Sequence, residues 1–278
     1  MKTFVMLTSL AVSLLKVQGQ PPIESGFAEV NGIKMFYQIS GKGRPLVLIH
    51  GGGSTIETTF GRVIPLLAKH HKVIALELQA HGRTTDRPSE LSFEQDADDV
   101  FALLGYLKIE KADFFGFSNG GTTTLQLAIR HPQMVNKIVL GSALAKRNGV
   151  PTQFWEFMQQ AKLDNMPLEL KNAYLKVVSD PAALQVMHDK DVKRMLGFKD
   201  ISDAQLSSIK SPALIINGDR DVILPEHALQ LHRLLAGSEL AVLPGTHGEY
   251  IGEITTLQSN SNQTVFVVQM IERFLKKR

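Results

Sequence analysis

Hydrophobic positions along this chain fall into short, dense runs separated by longer amphipathic stretches. Phe27–Val30 and Lys34–Ile39 flank Asn31-Gly32, a two-residue hairpin signal. Pro45–Ile49, Val73–Leu78, Ala112–Phe117, Lys137–Leu140, Ala213–Asn217 and Glu239–Leu243 follow as short apolar runs. Several are nearly continuous in Val, Ile and Leu, the pattern of strands buried on both faces of a parallel sheet. Helical patterns lie between most of them. Ser92-Phe93-Glu94-Gln95 is a capping box that opens a helix through about Leu107, Asn119 to His131 reads as a helix stopped by Pro132, and Asn262 to Lys277 reads as a last one. The alternation predicts an α/β protein with a doubly wound, mostly parallel sheet of about eight strands and helices on both faces. It breaks once, between Ala145 and Lys210, where Pro151, Pro167 and Pro181 each sit where a helix could begin and no strand pattern appears. This predicts a helical lid, residues 145–210, inserted after the sixth strand into a core of residues 20–144 and 211–278.

The N-terminus follows a different pattern. Lys2 precedes an apolar run from Phe4 to Leu15 and then Val17-Gln18-Gly19, the layout of a secretory signal peptide with cleavage near Gly19-Gln20. The run is too short to span a bilayer as a helix. The expectation is a secreted or periplasmic protein with no stable membrane insertion after cleavage. Removing residues 1–19 takes away Lys2 and Lys16, leaving 28 basic against 27 acidic side chains and a formal charge of +1 instead of +3. The balance therefore gives no reason to expect a nucleic-acid partner, and Lys276-Lys277-Arg278 suits the C-terminal end of a helix. With no cysteine, the fold must be held by its core alone, which 278 residues at 44% hydrophobic content can supply. No H-E-x-x-H or other close His/Asp/Glu cluster suggests a metal site, and no cofactor is expected.

Chemistry concentrates at four places. Gly116-Phe117-Ser118-Asn119-Gly120-Gly121 joins an expected strand to an expected helix, which makes Ser118 a nucleophile on a sharp turn. Glycines two residues to either side remove Cβ atoms that would collide there, and the helix directs free N–H groups at the reaction centre. His50-Gly51-Gly52-Gly53 follows another strand and can supply backbone N–H groups to a developing oxyanion. Asn119 should give one donor and Gly52 the second, with Gly53 as competitor. Gly218-Asp219-Arg220-Asp221 offers two carboxylates after a later strand, and either could orient a histidine; Asp219 could instead cap the turn or pair with Arg220. Of nine histidines, His247 alone completes the chain order Ser…Asp…His. His70, His71, His131, His188, His227 and His232 read as surface or capping residues, His50 as structural, and His81 as a possible supporting residue. The lid sequence carries Phe154, Trp155, Phe157 and Met158 in one stretch, and Trp155 and Met158, with Gly53, are the candidate substrate contacts. Packing of the lid against the core accounts for these apolar residues equally well.

Together these motifs resemble the α/β-hydrolase superfamily, specifically its lid-bearing esterase and C–C-hydrolase-like branch, over Phe27 to Phe274. In that family the acid commonly stands four residues before a proline. Asp221 to Pro225 matches this and Asp219 does not, so the resemblance implies a Ser118–Asp221–His247 triad. Ala80-His81-Gly82-Arg83-Thr84 corresponds to a family turn with alanine where the first glycine is usual. The resemblance implies hydrolysis of a small to medium apolar carboxylic ester through an acyl-enzyme. C–C bond hydrolysis, cofactor-free perhydrolysis and a non-catalytic ligand-binding receptor are the alternatives.

Overall fold

The computed structural model describes residues 23–259 and 262–277; the expected signal peptide and its cleavage site lie outside the described residues. Eight strands form one sheet in the order β1-β2-β4-β3-β5-β6-β7-β8. β1 (Ile23–Val30) and β2 (Ile33–Ser40) make the hairpin around Asn31 and Gly32, whose φ values of 45° and 83° suit a two-residue turn of this hand. β2 runs antiparallel to β4 (His71–Leu76), and from there the sheet is parallel through β3 (Arg44–Ile49), β5 (Ala112–Phe117), β6 (Val135–Gly141), β7 (Ala213–Gly218) and β8 (Glu239–Leu243).

The continuous apolar runs are explained by two cores, one on each face. Val47 and Ile49 of β3 point into a core shared with α3 (Phe93–Tyr106), α4 (Asn119–Arg130) and α9 (Pro225–Leu234). Leu46 and Leu48 point into the opposite core, shared with α1 (Ile56–Phe60), α2 (Ile64–Leu67) and α10 (Gln263–Lys276). The alternation of side chains along a strand sends neighbours to opposite faces, and helices cover both. Ser92 caps α3 by accepting from the Gln95 N–H at 3.1 Å, but the Gln95 side chain donates to Asp99 instead of closing the reciprocal half of the expected box.

Between β6 and β7 the chain is helical: α5 (Thr152–Gln159) follows Pro151, α6 (Leu168–Val177) follows Pro167, and α7 (Pro181–Leu196) begins at a proline, with Asp180 as its N-cap. The last helix of this stretch, α8 (Asp203–Ser208), behaves differently from the first three. Ile201, Leu206 and Ile209 pack in the main core with α4 and α9, so the expected lid boundary at 210 lies too late; the part that stands over the sheet ends near Phe198. Among the described residues no helix is long and apolar enough to cross a membrane.

Candidate active site

Every proposed catalytic residue sits at the C-terminal ends of the strands. Ser118 lies between β5 and α4 with φ 54° and ψ −121°, a conformation rare for a residue with a side chain, pinned by its N–H donating to the Gly141 carbonyl at 2.8 Å. The flanking glycines are obligatory on steric grounds. A Cβ on Gly116 would stand 2.1 Å from the Gly120 carbonyl oxygen, and one on Gly120 would stand 2.0 Å from the Ile49 carbonyl oxygen. The turn exists because helix and strand approach more closely than any side chain permits.

His247 Nδ1 donates to Asp221 Oδ1 at 2.7 Å. The rest of the Asp221 carboxylate is saturated: the Ile223 N–H donates to Oδ1 at 2.9 Å, and the Ser142 hydroxyl at 2.6 Å and the Gly218 N–H at 3.5 Å donate to Oδ2. Burial works to raise the Asp221 pKa, but the neighbouring His247 and these hydrogen bonds outweigh it, so the carboxyl sits below its ordinary value. Burial likewise opposes charge on His247, and the Asp221 carboxylate overcomes it, raising the imidazole above its usual value. Asp219 takes the structural part. Its Oδ1 accepts the Gly245 N–H at 2.8 Å, fixing the loop that carries His247, and it pairs with Arg220 at 3.2 Å. Ser142, at the end of β6 with φ 48°, and Tyr250, whose hydroxyl lies 2.8 Å from that of Ser142, extend the network behind the acid. Nothing in the local sequence marked either residue.

Gly52, Gly53, Ser118, Asn119 and His247 line one cavity of about 290 Å³. The two loop glycines are not equivalent there. The Gly53 N–H is spent on Asp191 Oδ2 at 2.6 Å, whereas among the described residues the N–H groups of Gly52 and Asn119 meet no acceptor. The peptide joining Gly51 to Gly52 is set by His50, whose Nδ1 donates to the Gly51 carbonyl at 2.7 Å while its Nε2 accepts from the Leu78 N–H at 3.0 Å. In a planar trans peptide the N–H points opposite to the C=O, so this bond directs the Gly52 N–H away from His50. The same two partners require a neutral imidazole, and burial, followed by the charge of His81, pushes the His50 pKa down to about 3.

The remaining cavity wall is mostly apolar and comes largely from the helical insertion, with Phe154, Phe157, Met158, Met166, Met187 and Met195, while Lys162, Asn165, His188 and Asp191 of the same insertion add polar groups. Of the two lid residues expected to contact substrate, Met158 lines the cavity and Trp155 does not. Its indole N–H donates to the Arg147 carbonyl at 2.9 Å, the Arg147 guanidinium stacks on its ring at 3.8 Å, and it packs beside Phe198, outside the cavity. The expected surface or capping role also fails for three histidines: His71 is buried, His188 lines the cavity, and buried His227 accepts the Ala145 N–H at 3.0 Å. Ala80, at the position where glycine was expected, keeps a left-handed φ of 64°, so the turn survives the substitution at a conformational cost. Among the described residues no group of three or more His, Asp or Glu side chains could hold a metal ion.

Comparison with known proteins agrees with this architecture. The family model described as alpha/beta hydrolase fold matches residues 44–186. Human serine hydrolase BPHL is 31% identical over 247 residues, covering 82% of this chain and 82% of its own. The 2-hydroxymuconate semialdehyde hydrolase of Pseudomonas sp. (strain CF600) is 30% identical over 234 residues, covering 76% of this chain and 82% of its own. Among solved structures, a serine hydrolase involved in carbazole degradation (CarC) superposes with a TM-score of 0.76 at 22% identity, over 92% of this chain and 100% of that one.

Proposed function

The chain belongs to the α/β-hydrolase fold family, and we propose that within it this protein hydrolyses small to medium apolar carboxylic esters through an acyl-enzyme on Ser118. The observation that carries the reading is the Asp221–His247 hydrogen bond at 2.7 Å, opening on the same cavity as a strained Ser118 and two unused backbone N–H groups. In this reading Ser118 Oγ attacks the carbonyl carbon and passes its proton to His247. The oxyanion accepts hydrogen bonds from the N–H groups of Gly52 and Asn119. Collapse expels the alcohol, which takes the proton from His247; water then repeats the sequence on the acyl-enzyme and releases the acid. Asp221 holds the imidazole in the Nδ1–H tautomer and stabilises its charged form. The Met and Phe side chains that make up most of the wall suit an apolar acyl group, and the flexibility of methionine suits more than one chain shape.

Hydrolysis of a C–C bond beside a carbonyl is the second reading, favoured by the likeness to a semialdehyde hydrolase. A fluorophosphonate label followed by p-nitrophenyl esters of graded chain length, run beside a vinylogous diketone, tests both. Labelling at Ser118 with ester turnover supports the first reading. Labelling with diketone cleavage alone replaces it with the second, and absence of labelling removes both. Export, with a mature N-terminus near Gln20, completes the proposal.

A further inference from the structure

Four charged side chains lie buried beside the oxyanion loop: His81, Asp96, Asp191, which also borders the cavity, and Arg194. Asp191 and Arg194 belong to α7 of the helical insertion, Asp96 to α3, and His81 to the loop after β4. Arg194 bridges the two carboxylates, donating to Asp96 Oδ2 at 2.6 Å and to Asp191 Oδ1. The other oxygen of Asp191, Oδ2, meets the Gly53 N–H at 2.6 Å and His81 Nε2 at 2.9 Å.

The partners of His81 decide its charge. Its Nδ1 faces the Gln79 carbonyl at 2.8 Å and its Nε2 faces the Asp191 carboxylate. The Gly53 N–H also lies 3.2 Å from Nε2, but it is closer to Asp191 Oδ2 at 2.6 Å, and the nearest neighbour of each ring nitrogen is an acceptor, so both nitrogens carry hydrogen and the ring is an imidazolium. Burial opposes this, but the Asp191 charge and hydrogen bond raise the His81 pKa above its usual value. The Asp191 carboxyl is correspondingly held low: burial works against its ionisation, and Arg194 and His81 overcome it. The two histidines beside the loop thus hold opposite states, His50 neutral and His81 charged, with ring centroids 5.0 Å apart.

We propose that Asp191, clamped by His81 and Arg194, is a positioning residue that locks the oxyanion loop, so that a side chain of the helical insertion completes the oxyanion hole. The peptide joining Gly52 to Gly53 has its N–H on Asp191 and its C=O accepting from the Ser54 hydroxyl at 3.3 Å. The preceding peptide, which bears the free Gly52 N–H, is held by His50 on its carbonyl. Between the two peptides lie only the φ and ψ of Gly52, a residue with almost no intrinsic preference. Releasing either anchor therefore lets the Gly52 N–H swing, and a shift near 1 Å in such a donor can cost about 10²-fold in rate. A Cβ at position 52 would stand 2.4 Å from Asn119 Nδ2 and 3.1 Å from Asp191 Oδ2, so glycine there leaves both side chains in place. The loop is thus built from a residue that cannot hold its own shape, and the shape is supplied from α7, 138 residues away.

This inference rests on the serine-hydrolase reading of the site, but not on the identity of the substrate. Its test is the second-order rate of fluorophosphonate labelling, which needs only Ser118, His247 and the oxyanion hole, together with the affinity for an alkyl trifluoromethyl ketone. The hemiketal oxyanion of that ketone occupies the same hole. In the mature full-length protein, Asp191→Asn should slow labelling by about 10- to 100-fold and weaken the ketone by the same factor. The KM for a small ester should stay within about twofold, because uniform binding does not use the oxyanion donors. Should Asp191→Asn fail to fold, His81 gives an independent pair. His81→Gln keeps an N–H toward Asp191 and should label within about threefold of wild type, while His81→Leu removes it and should lose about tenfold or more. Wild-type labelling in Asp191→Asn or His81→Leu, or a rise in KM with unchanged labelling, overturns the proposal. Failure of the wild-type protein to label at Ser118 at all overturns the active-site reading, and this one with it.

Discussion

Replacing Asp221 by asparagine tests the proposed triad most sharply, because the structure fixes which way the amide must turn. All the groups around the carboxylate are donors: His247 Nδ1–H and the Ile223 N–H at Oδ1, and the Ser142 hydroxyl with a longer contact from the Gly218 N–H, at 3.5 Å, at Oδ2. An asparagine must direct its NH₂ at one of these two sides. The Oδ2 side is the cheaper one, since the Ser142 hydroxyl also accepts and can donate instead to Tyr250 at 2.8 Å and the Gly218 contact is long, whereas both donors at Oδ1 are close and fixed. The amide oxygen therefore faces His247, the Nδ1–H tautomer survives, and what is lost is the charge. A unit charge pair about 4 Å apart at an effective dielectric of about 20 is worth about 4 kcal/mol, or about 10³-fold in kcat. That is below the roughly 10⁴ seen where the tautomer is lost as well. The acid limb of the pH–rate profile should also move. Asp221 raises the His247 pKa, and His247 acts as base only when neutral, so the midpoint must shift to lower pH in Asp221→Asn. Adding Ser142→Ala leaves the amide NH₂ without an acceptor and should cost more than the two single losses combined. Stopped-flow kinetics on a p-nitrophenyl ester, with circular dichroism on each variant, measures all three. Asp219→Asn should stay within about tenfold of wild type, since an asparagine oxygen can still accept the Gly245 N–H. A folded Asp219→Asn that is inactive beside an active Asp221→Asn refutes the assignment.

Three further outcomes are expected. Ser118→Ala should abolish ester turnover and fluorophosphonate labelling with an unchanged circular dichroism spectrum; labelling of another serine would move the nucleophile. Trp155→Ala should cost about 2–3 kcal/mol in stability through lost packing and stacking and lower all chain lengths alike, whereas Met158→Ala should favour longer acyl groups; a chain-length ranking altered by Trp155→Ala alone would reverse the two roles. Expressed with residues 1–19 in a secreting host, the protein should show a mature N-terminus near Gln20 by intact-mass measurement, and an exported product that retains Met1 would exclude cleavage.

The parts of this molecule that could be read from sequence are those encoded by neighbours in the chain. Ala112–Phe117 and Glu239–Leu243 emerge as strands at their expected limits because alternate faces of each run meet a different core. The prolines just before α5 and α6 and at the first position of α7 mark helix starts because a missing N–H costs nothing there. The elbow is legible for the same reason: strand, serine, glycines and helix are contiguous. Trp155 was ambiguous because an amphipathic helix does not say which part of its apolar face meets a cavity and which meets other side chains. The lid boundary ran long because α8 looks like its neighbours in pattern, while Leu206 turns into the main core.

The choice between Gly52 and Gly53 shows the other side of that rule. The two glycines are adjacent and chemically identical, so no local pattern distinguishes them as oxyanion donors. In the fold they differ: Gly53 takes a left-handed φ of 65° and its N–H is taken by a carboxylate 138 residues later in the chain, while the Gly52 N–H is left free by a histidine that binds the carbonyl beside it. Asp191 gave no signal of its own, since one aspartate among the charged residues of a helix reads as solvated surface. Its burial makes sense only with His81 and Arg194 charged on either side, because an unpaired carboxylate in that position would cost several kcal/mol. A helical insertion is free to vary the walls of a pocket, but one that also holds the oxyanion loop must keep its α7 seated on the core. Specificity and catalytic competence are then set by the same helix.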